Sequence, residues 1–194
     1  MANKQTVALT EAQYFNIIKT IQQGFTTKDG RRVKGNDRIA TILVLEANIL
    51  ARISDILQMK LSSIIKDGDR YRLDIIEKKT KKKRQFTVPM EIYTYIQEYT
   101  INRGLKKDDL LFDISARQVQ KHIQLVVEYL GIEEPISTHS FRKFGATELY
   151  NQEKDIYIVK ELLQHSSVQT SQRYINISRE AVERALAKHI KIPT

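Results

Sequence analysis

Apolar residues with a helical period occupy most of the first third of the chain. Thr10 and Gln13 form a capping-box pair, and the apolar positions after them share one helical face: Tyr14, Ile17, Ile18 and Ile21. A strongly apolar pattern of the same period runs over residues 38–59 and predicts a second, buried helical element. Between them, residues 24–37 are polar and contain two Gly turns, which indicates a loop or hairpin.

The period changes to two beyond Leu61. Residues 61–66, 71–77 and 85–88 alternate in the manner of short strands, and Asp67-Gly68-Asp69 supplies a turn between the first two. We therefore predict three antiparallel strands. The last two are joined by a run of basic residues, 78–84, which would form the tip of a hairpin.

After Pro89 the pattern is helical again, with breaks expected at Gly104, Pro135 and around His165. Residues 116–130 form the clearest helix, because a second capping box precedes an apolar stripe there. Residues 178–190 read as a short amphipathic helix, which could pack on its own domain or on a neighbouring copy of the chain.

These elements predict a mainly α protein with a small antiparallel β-sheet, an α+β fold. The 194 residues are enough for one well-buried core, and no internal repeat divides them. We expect a single domain over residues 1–194.

Charge and composition narrow the class of partner. The chain has 32 Lys and Arg against 23 Asp and Glu, a formal net charge of +9. Such a surplus attracts a polyanion without choosing a sequence, which favours nucleic acid, although other basic proteins share the property. The absence of cysteine excludes disulfides and thiolate metal sites. Without a leader or a membrane-length apolar run, we expect a cytoplasmic protein.

Cleavage of a phosphodiester without a metal needs cationic donors for the non-bridging oxygens, a base for the nucleophile and an acid for the leaving oxygen. Arg52 and Arg142 suit the first role, since a guanidinium binds two oxygens at once. His139 precedes Arg142 by three residues, so both would lie on one face of a helix. Taken singly, each has a structural explanation: Arg52 could simply pair with Asp55, and a lone histidine is usually a packed one.

Taken together, six positions resemble the catalytic residues of the tyrosine recombinase, or phage integrase, family: Arg52, Lys79, His139, Arg142, His165 and Tyr174. The resemblance lies in the segment Ala-Arg-Ile-Ser-Asp, a hairpin lysine before threonine, a His-x-x-Arg, and a closing Leu-x-His-Ser-Ser followed by Gln-Arg-Tyr. The order along the chain also agrees with the family. The resemblance covers nearly the whole sequence.

The chain departs from the family pattern at several positions. Leu50 and Gln164 stand where the family commonly has glycine, and Lys143 stands where a second histidine often follows the arginine. The assignment of Lys79 has rivals within the same basic run: Lys78, Lys81, Lys82 and Lys83. Family members also usually carry an amino-terminal core-binding domain, so this chain is expected to be a catalytic fragment of a longer integrase.

The resemblance implies a fold and a function. It implies a site-specific DNA recombinase that acts through a 3′-phosphotyrosyl intermediate on double-stranded DNA, as a homo-tetramer on DNA, without metal or cofactor. Tyr174 would be the nucleophile, with Tyr150 and Tyr157 as the remaining candidates near the site. Three alternatives stay open: a relaxing topoisomerase of the same chemistry, a non-catalytic DNA-binding module, and a metal-dependent nuclease. The last is disfavoured because the acidic pairs at 108–109 and 133–134 do not converge by spacing.

Overall fold

The computed structural model describes residues 6–172 and residue 175, and these contain eight helices and five strands. The helices are α1 (Glu11–Gln23), α2 (Asp37–Ile49), α3 (Ile53–Ile56), α4 (Met90–Asn102), α5 (Ala116–Tyr129), α6 (Thr138–Glu153), α7 (Ile156–Leu163) and α8 (Val168–Gln172). The strands are β1 (Gly24–Thr26), β2 (Arg32–Lys34), β3 (Ile64–Asp67), β4 (Arg70–Ile76) and β5 (Lys83–Val88). The predicted α+β class is confirmed.

Helix α2 is the centre of the fold. It is apolar along most of its length and packs against α1 and α6, and nine of its thirteen residues are buried. The approach of α6 is unusually close at Gly145, where a Cβ atom would lie 1.8 Å from the carbonyl oxygen of Ala47. Only glycine fits this crossing, which therefore fixes the position of α6 on α2.

A three-stranded antiparallel sheet, in the order β3-β4-β5, lies at one side of the helices. Leu73 pairs with Ile64 on one neighbouring strand and with Phe86 on the other. The sheet follows the predicted alternation, and its first predicted residues instead form a short 3-10 turn, Leu61–Ser63. Residues 24–37 form a hairpin of β1 and β2, the second of the two predicted possibilities.

The apolar pattern of residues 38–59 predicted continuous helix, and this expectation is wrong in its middle. Helix α2 ends at Ile49, Leu50 adopts a left-handed conformation with φ 50° and ψ 28°, and Arg52 is extended before α3 begins. A left-handed residue cannot continue a right-handed helix. The break turns Arg52 out of the path of α2 and towards the sheet.

Some expectations concern residues outside the described part of the chain. Tyr174 and the amphipathic segment 178–190 belong to this group. Among the helices that the structure does describe, none combines the length and the apolar character that crossing a membrane requires.

Candidate active site

Arg52 is held by two buried carboxylates. Its Nη1 atom donates to Oε2 of Glu77 at 2.5 Å and lies 4.0 Å from Oδ2 of Asp55. The side chains of Asp55 and Glu77 are both 0% exposed, whereas that of Arg52 is 15% exposed. Asp55 is the partner expected from the sequence, and Glu77 was missed. The signal for Glu77 was its place in the alternation Leu73, Ile75, Glu77, which continues the buried face of β4 one residue past the end of the strand.

Lys79 lies in the loop that joins β4 to β5. The backbone N–H of Lys78 donates to Oδ1 of Asp55 at 2.8 Å, and the hydroxyl of Thr80 donates to Oε2 of Glu77 at 2.7 Å. Lys79, exposed, stands between these two anchored residues. The carboxylates that flank Arg52 thus also hold the loop on both sides of Lys79.

The rival lysines occupy different positions in the same loop. Lys78, Lys81, Lys82 and Lys83 are all exposed. Lys81 has φ 59°, and its backbone N–H donates to the carbonyl oxygen of Glu77 at 2.9 Å, which closes the loop. The ammonium group of Lys83 pairs with Asp74 at 3.3 Å on β4. Lys83 is thereby directed to another partner.

His139 and Arg142 share the first turns of α6, as their spacing predicted. Arg142 is 0% exposed, and its Nη2 atom donates to the carbonyl oxygen of Leu163 at 2.9 Å. His139 lies at the surface on the same side. Helix α6 thus presents an imidazole outside a guanidinium that is anchored to the end of α7.

Cations from three separate segments of the chain lie close enough to His139 to affect its pKa. Partial loss of hydration lowers the pKa of the imidazole from its usual value, and the positive charges of Arg142, Arg52, Lys143 and Lys79 lower it further. These cations come from α6, from the α2–α3 break and from the β4–β5 loop. A histidine in such surroundings stays neutral at a pH where an ordinary one begins to take up a proton, so it can accept a proton from a nucleophile.

A further buried carboxylate, Glu46, lies on α2 near Arg142. Complete burial raises the pKa of Glu46 well above its usual range, while the charge of Arg142 and the backbone amide of Ile53 partly offset that rise. Burial of a charge in an apolar core is unfavourable, which is why the neutral acid is favoured. Sequence reasoning did not single out Glu46, although a glutamate within the apolar run 39–49 was the visible signal.

His165 follows directly on the end of α7. Gln164 is left-handed, with φ 51° and ψ 43°, and its side-chain amide donates to the carbonyl oxygen of Lys83 at 3.2 Å. The Nδ1 atom of His165 lies 3.0 Å from the hydroxyl oxygen of Ser171, which is buried in α8. The contact with Lys83 places the His165 segment beside the start of β5.

The proposed nucleophile, Tyr174, is outside the described residues, whereas the two other candidate tyrosines are inside them. Tyr150 packs against a small apolar cluster that includes Leu163, and Tyr157 is 64% exposed near the start of α7. Across residues 6–172 and 175, no group of three or more His, Asp or Glu side chains is arranged to hold a metal ion.

Comparisons with known proteins agree with this architecture. The phage integrase family matches residues 8–181. The "Probable integrase/recombinase YoeC" of Bacillus subtilis strain 168 is 31% identical over 157 residues, which are 77% of this chain and 83% of that protein.

Solved structures show the same fold. XerH recombinase in a post-cleavage complex with a palindromic difH substrate superimposes with a TM-score of 0.72 at 22% identity, over 96% of this chain and 54% of XerH. The catalytic domain of bacteriophage HP1 integrase gives a TM-score of 0.66 at 19% identity, over 95% of this chain and 96% of that domain. The chain thus spans about half the length of the XerH recombinase it matches.

The described residues have the fold of a tyrosine recombinase catalytic domain. With the match to residues 8–181 and the similarity to YoeC, the chain belongs to the phage integrase family.

Proposed function

We propose that the chain is the catalytic domain of a site-specific DNA recombinase that cuts and rejoins strands through a 3′-phosphotyrosyl intermediate. The observation that carries the proposal is that contacts of Arg52 hold the loop of Lys79, that Arg142 is anchored beside His165, and that the charges of Arg52, Arg142 and Lys79 all act on His139. A phosphodiester in reach of these groups would meet two guanidinium groups, a base and a cationic acid together. That set supplies each role required for metal-free cleavage.

In the first step, the phenolic oxygen of Tyr174 attacks the scissile phosphorus, and His139 takes the phenolic proton. A bond forms between phosphorus and the tyrosine oxygen, and the bond from phosphorus to the 5′ oxygen breaks. Lys79 gives its proton to that leaving oxygen. Because a tyrosine has a pKa near 10, it needs the adjacent base and the cations to act as a nucleophile at neutral pH.

The remaining side chains stabilise the charge on the phosphate during this step. Arg52 and Arg142 bind the non-bridging oxygens, and His165 donates a hydrogen bond to the phosphate. In the second step a 5′ hydroxyl from a partner strand attacks the phosphorus and gives its proton to the now neutral Lys79. A phosphodiester bond forms as the bond to Tyr174 breaks, and the tyrosine oxygen takes back the proton from His139. The number of phosphoester bonds is unchanged, so rejoining needs no nucleotide.

Double-stranded DNA is the proposed substrate, since a structural neighbour, the Tn1549 transposon integrase, was solved in complex with circular intermediate DNA. The net charge of +9 and the exposed basic loop at residues 78–83 favour binding to the phosphate backbone. Strand exchange between two duplexes requires several active sites, and we propose a homo-tetramer on DNA that can be a monomer in free solution. The reaction would take place in the cytoplasm of a bacterium, and the protein would be encoded by the bacterium or by a phage.

Trapping on nicked DNA separates an enzyme from a binding module. The protein is incubated with a library of nicked duplexes that have random sequence around the nick. The nick makes the cleaved strand short, so it diffuses away and leaves the covalent complex behind. We expect DNA that stays attached to protein in denaturing detergent, and its sequence would reveal the preferred site. DNA that binds but is never attached would contradict the proposal and favour the binding module.

A relaxing topoisomerase is the second enzymatic candidate, since it shares every group named above and differs in rejoining the original strand. The two are distinguished with the selected site on two duplexes of unequal length. Recombinant duplexes are expected from a recombinase, and relaxed plasmid without recombinants from a topoisomerase.

A further inference from the structure

One oxygen atom of Glu77 contacts two segments that the proposed reaction uses. Oε2 accepts from Nη1 of Arg52 at 2.5 Å and from the hydroxyl of Thr80 at 2.7 Å. Thr80 directly follows Lys79. A single carboxylate oxygen therefore joins the arginine at the α2–α3 break to the loop that carries the lysine.

The backbone of Glu77 belongs to the same loop. Its N–H donates to the carbonyl oxygen of Lys82 at 2.9 Å, and its carbonyl oxygen accepts from the N–H of Lys81 at 2.9 Å. Glu77 thus closes the loop with its main chain and ties it to Arg52 with its side chain. Any displacement of the Glu77 carboxylate would be transmitted to Lys79.

The carboxylate of Glu77 is fully buried, so it depends on these two partners. The side chain is 0% exposed, and a buried carboxylate is unfavourable unless charge and hydrogen bonds compensate for lost water. Arg52 supplies the charge and Thr80 a hydrogen bond. A guanidinium has five N–H donors, so the bond to Glu77 uses one of them while others remain for phosphate oxygens.

We propose that Glu77 is a positioning residue that aligns Arg52 and Lys79 with each other for strand cleavage. This inference rests on the proposed function. Asp55 shares the task through Oδ1, which holds the backbone N–H of Lys78 at 2.8 Å. Glu77 differs from Asp55 because it reaches the side of the loop that follows Lys79.

The role of Glu77 is measured with two substrates. One carries the natural 5′ oxygen at the scissile position, and the other carries sulfur, which leaves readily without a proton from an acid. A variant that misplaces Lys79 slows the oxygen substrate selectively. A variant that misplaces Arg52 slows both, because the non-bridging oxygens are the same in the two substrates.

Three variants separate these effects. Thr80→Val removes the hydroxyl and leaves the Arg52–Glu77 pair. Glu77→Gln removes the negative charge of the carboxylate that accepts from both Arg52 and Thr80. Asp74→Asn is the matched control. Asp74 lies on β4, three residues before Glu77, and pairs with Lys83 at 3.3 Å. Its contacts within the described part of the chain include neither Arg52 nor Thr80.

For Thr80→Val we expect single-turnover cleavage of the oxygen substrate to fall about 10-fold and that of the sulfur substrate to change less than about twofold. For Glu77→Gln we expect a loss of about 100-fold on the oxygen substrate and about 10-fold on the sulfur substrate, since both Arg52 and Lys79 lose their alignment. Asp74→Asn should leave both rates within about twofold of the parent.

Equal losses on the two substrates for Thr80→Val and Glu77→Gln would overturn the proposal, as would unchanged rates. Thermal unfolding checks that each variant folds. If Glu77→Gln does not fold, the two rates of Thr80→Val test the proposal. A parent protein that forms no covalent complex with either substrate would overturn the proposed function itself. A parent that cleaves, with variants that lose both rates equally, would overturn only the role of Glu77.

Discussion

Nη2 of the buried Arg142 donates to the carbonyl oxygen of Leu163 across a distance of 2.9 Å. The bond joins the first turns of α6 to the last residue of α7, just before the left-handed Gln164 and the imidazole of His165. Arg142 and His165 are 23 positions apart in sequence, yet this contact places them in one structural unit. The arrangement of the site therefore depends on where α7 ends.

The left-handed conformation of Leu50 gives the first prediction. Leu50→Ala removes buried packing and keeps the strained φ of 50°, while Leu50→Gly removes slightly more packing and relieves the strain. We expect Leu50→Gly to be about 1 kcal/mol more stable than Leu50→Ala in urea unfolding, the reverse of the usual order within helices.

Exposed Asn151 in α6 provides the comparison, because alanine there should be more stable than glycine by about 1 kcal/mol. The same order at Leu50 as at Asn151 would show that the backbone at residue 50 carries no strain.

Much of the fold could be predicted because the sequence marks it locally. The capping boxes at Thr10 and Ser115 place the starts of α1 and α5, and the change to a period of two places the sheet. The break at Leu50 could not be read from the pattern, since leucine continues an apolar helix as readily as any residue. The resemblance to a family that has glycine there was the indication that a turn occurs.

Part of the site could also be predicted from the sequence and part could not. The spacing of His139 and Arg142 within one helix fixes their relationship, so it could be predicted from sequence. The pairing of Arg52 with Glu77 joins residues 25 positions apart and depends on how the sheet packs against the α2–α3 break. Local periodicity contains no information about that packing.

The second prediction concerns the pH dependence of cleavage. The positive charge of Lys143 helps to lower the pKa of His139, so Lys143→Met should raise that pKa. A base must be neutral to accept a proton, and cleavage is therefore lost as pH falls through its pKa. We expect the acidic limb of the single-turnover rate to move to higher pH.

Lys154→Met is the matched control, since it removes a lysine from the far end of the same helix and should leave the limb in place. A limb that stays fixed or moves to lower pH in Lys143→Met would show that His139 is not the base that limits the rate.

The third prediction concerns the stability of the core around Glu46. The pKa of this buried acid is raised above its unfolded value, so its contribution to stability is fully present below the unfolded pKa. That contribution is lost as pH rises through the folded pKa. Glu46→Gln removes the titration, and we expect its advantage in the free energy of unfolding to grow between pH 5 and pH 8.

The growth is limited to about 1.4 kcal/mol per pH unit, the value for one proton. Urea unfolding at four pH values measures it. An advantage that stays constant from pH 5 to pH 8 would mean that Glu46 is already ionised in the folded protein, with its charge offset by that of Arg142.

The fourth prediction concerns the basic loop. Replacing Lys81, Lys82 and Lys83 with alanine should weaken binding to all DNA sequences alike, because phosphate contacts do not read bases. We expect the log-log salt dependence of binding to flatten by up to about one unit for each lost contact. An unchanged slope, measured by titration at several salt concentrations, would show that the loop only faces solvent.

Whether Tyr174→Phe forms a covalent complex with DNA tests the proposed mechanism at its nucleophile. This change removes one hydroxyl, so the variant should fold and bind nicked DNA as the parent does while forming no detergent-resistant adduct. Tyr150→Phe and Tyr157→Phe are the controls and should form the adduct normally. Mass spectrometry of the parent adduct should place the nucleotide on Tyr174, and an adduct that persists in Tyr174→Phe would contradict the account.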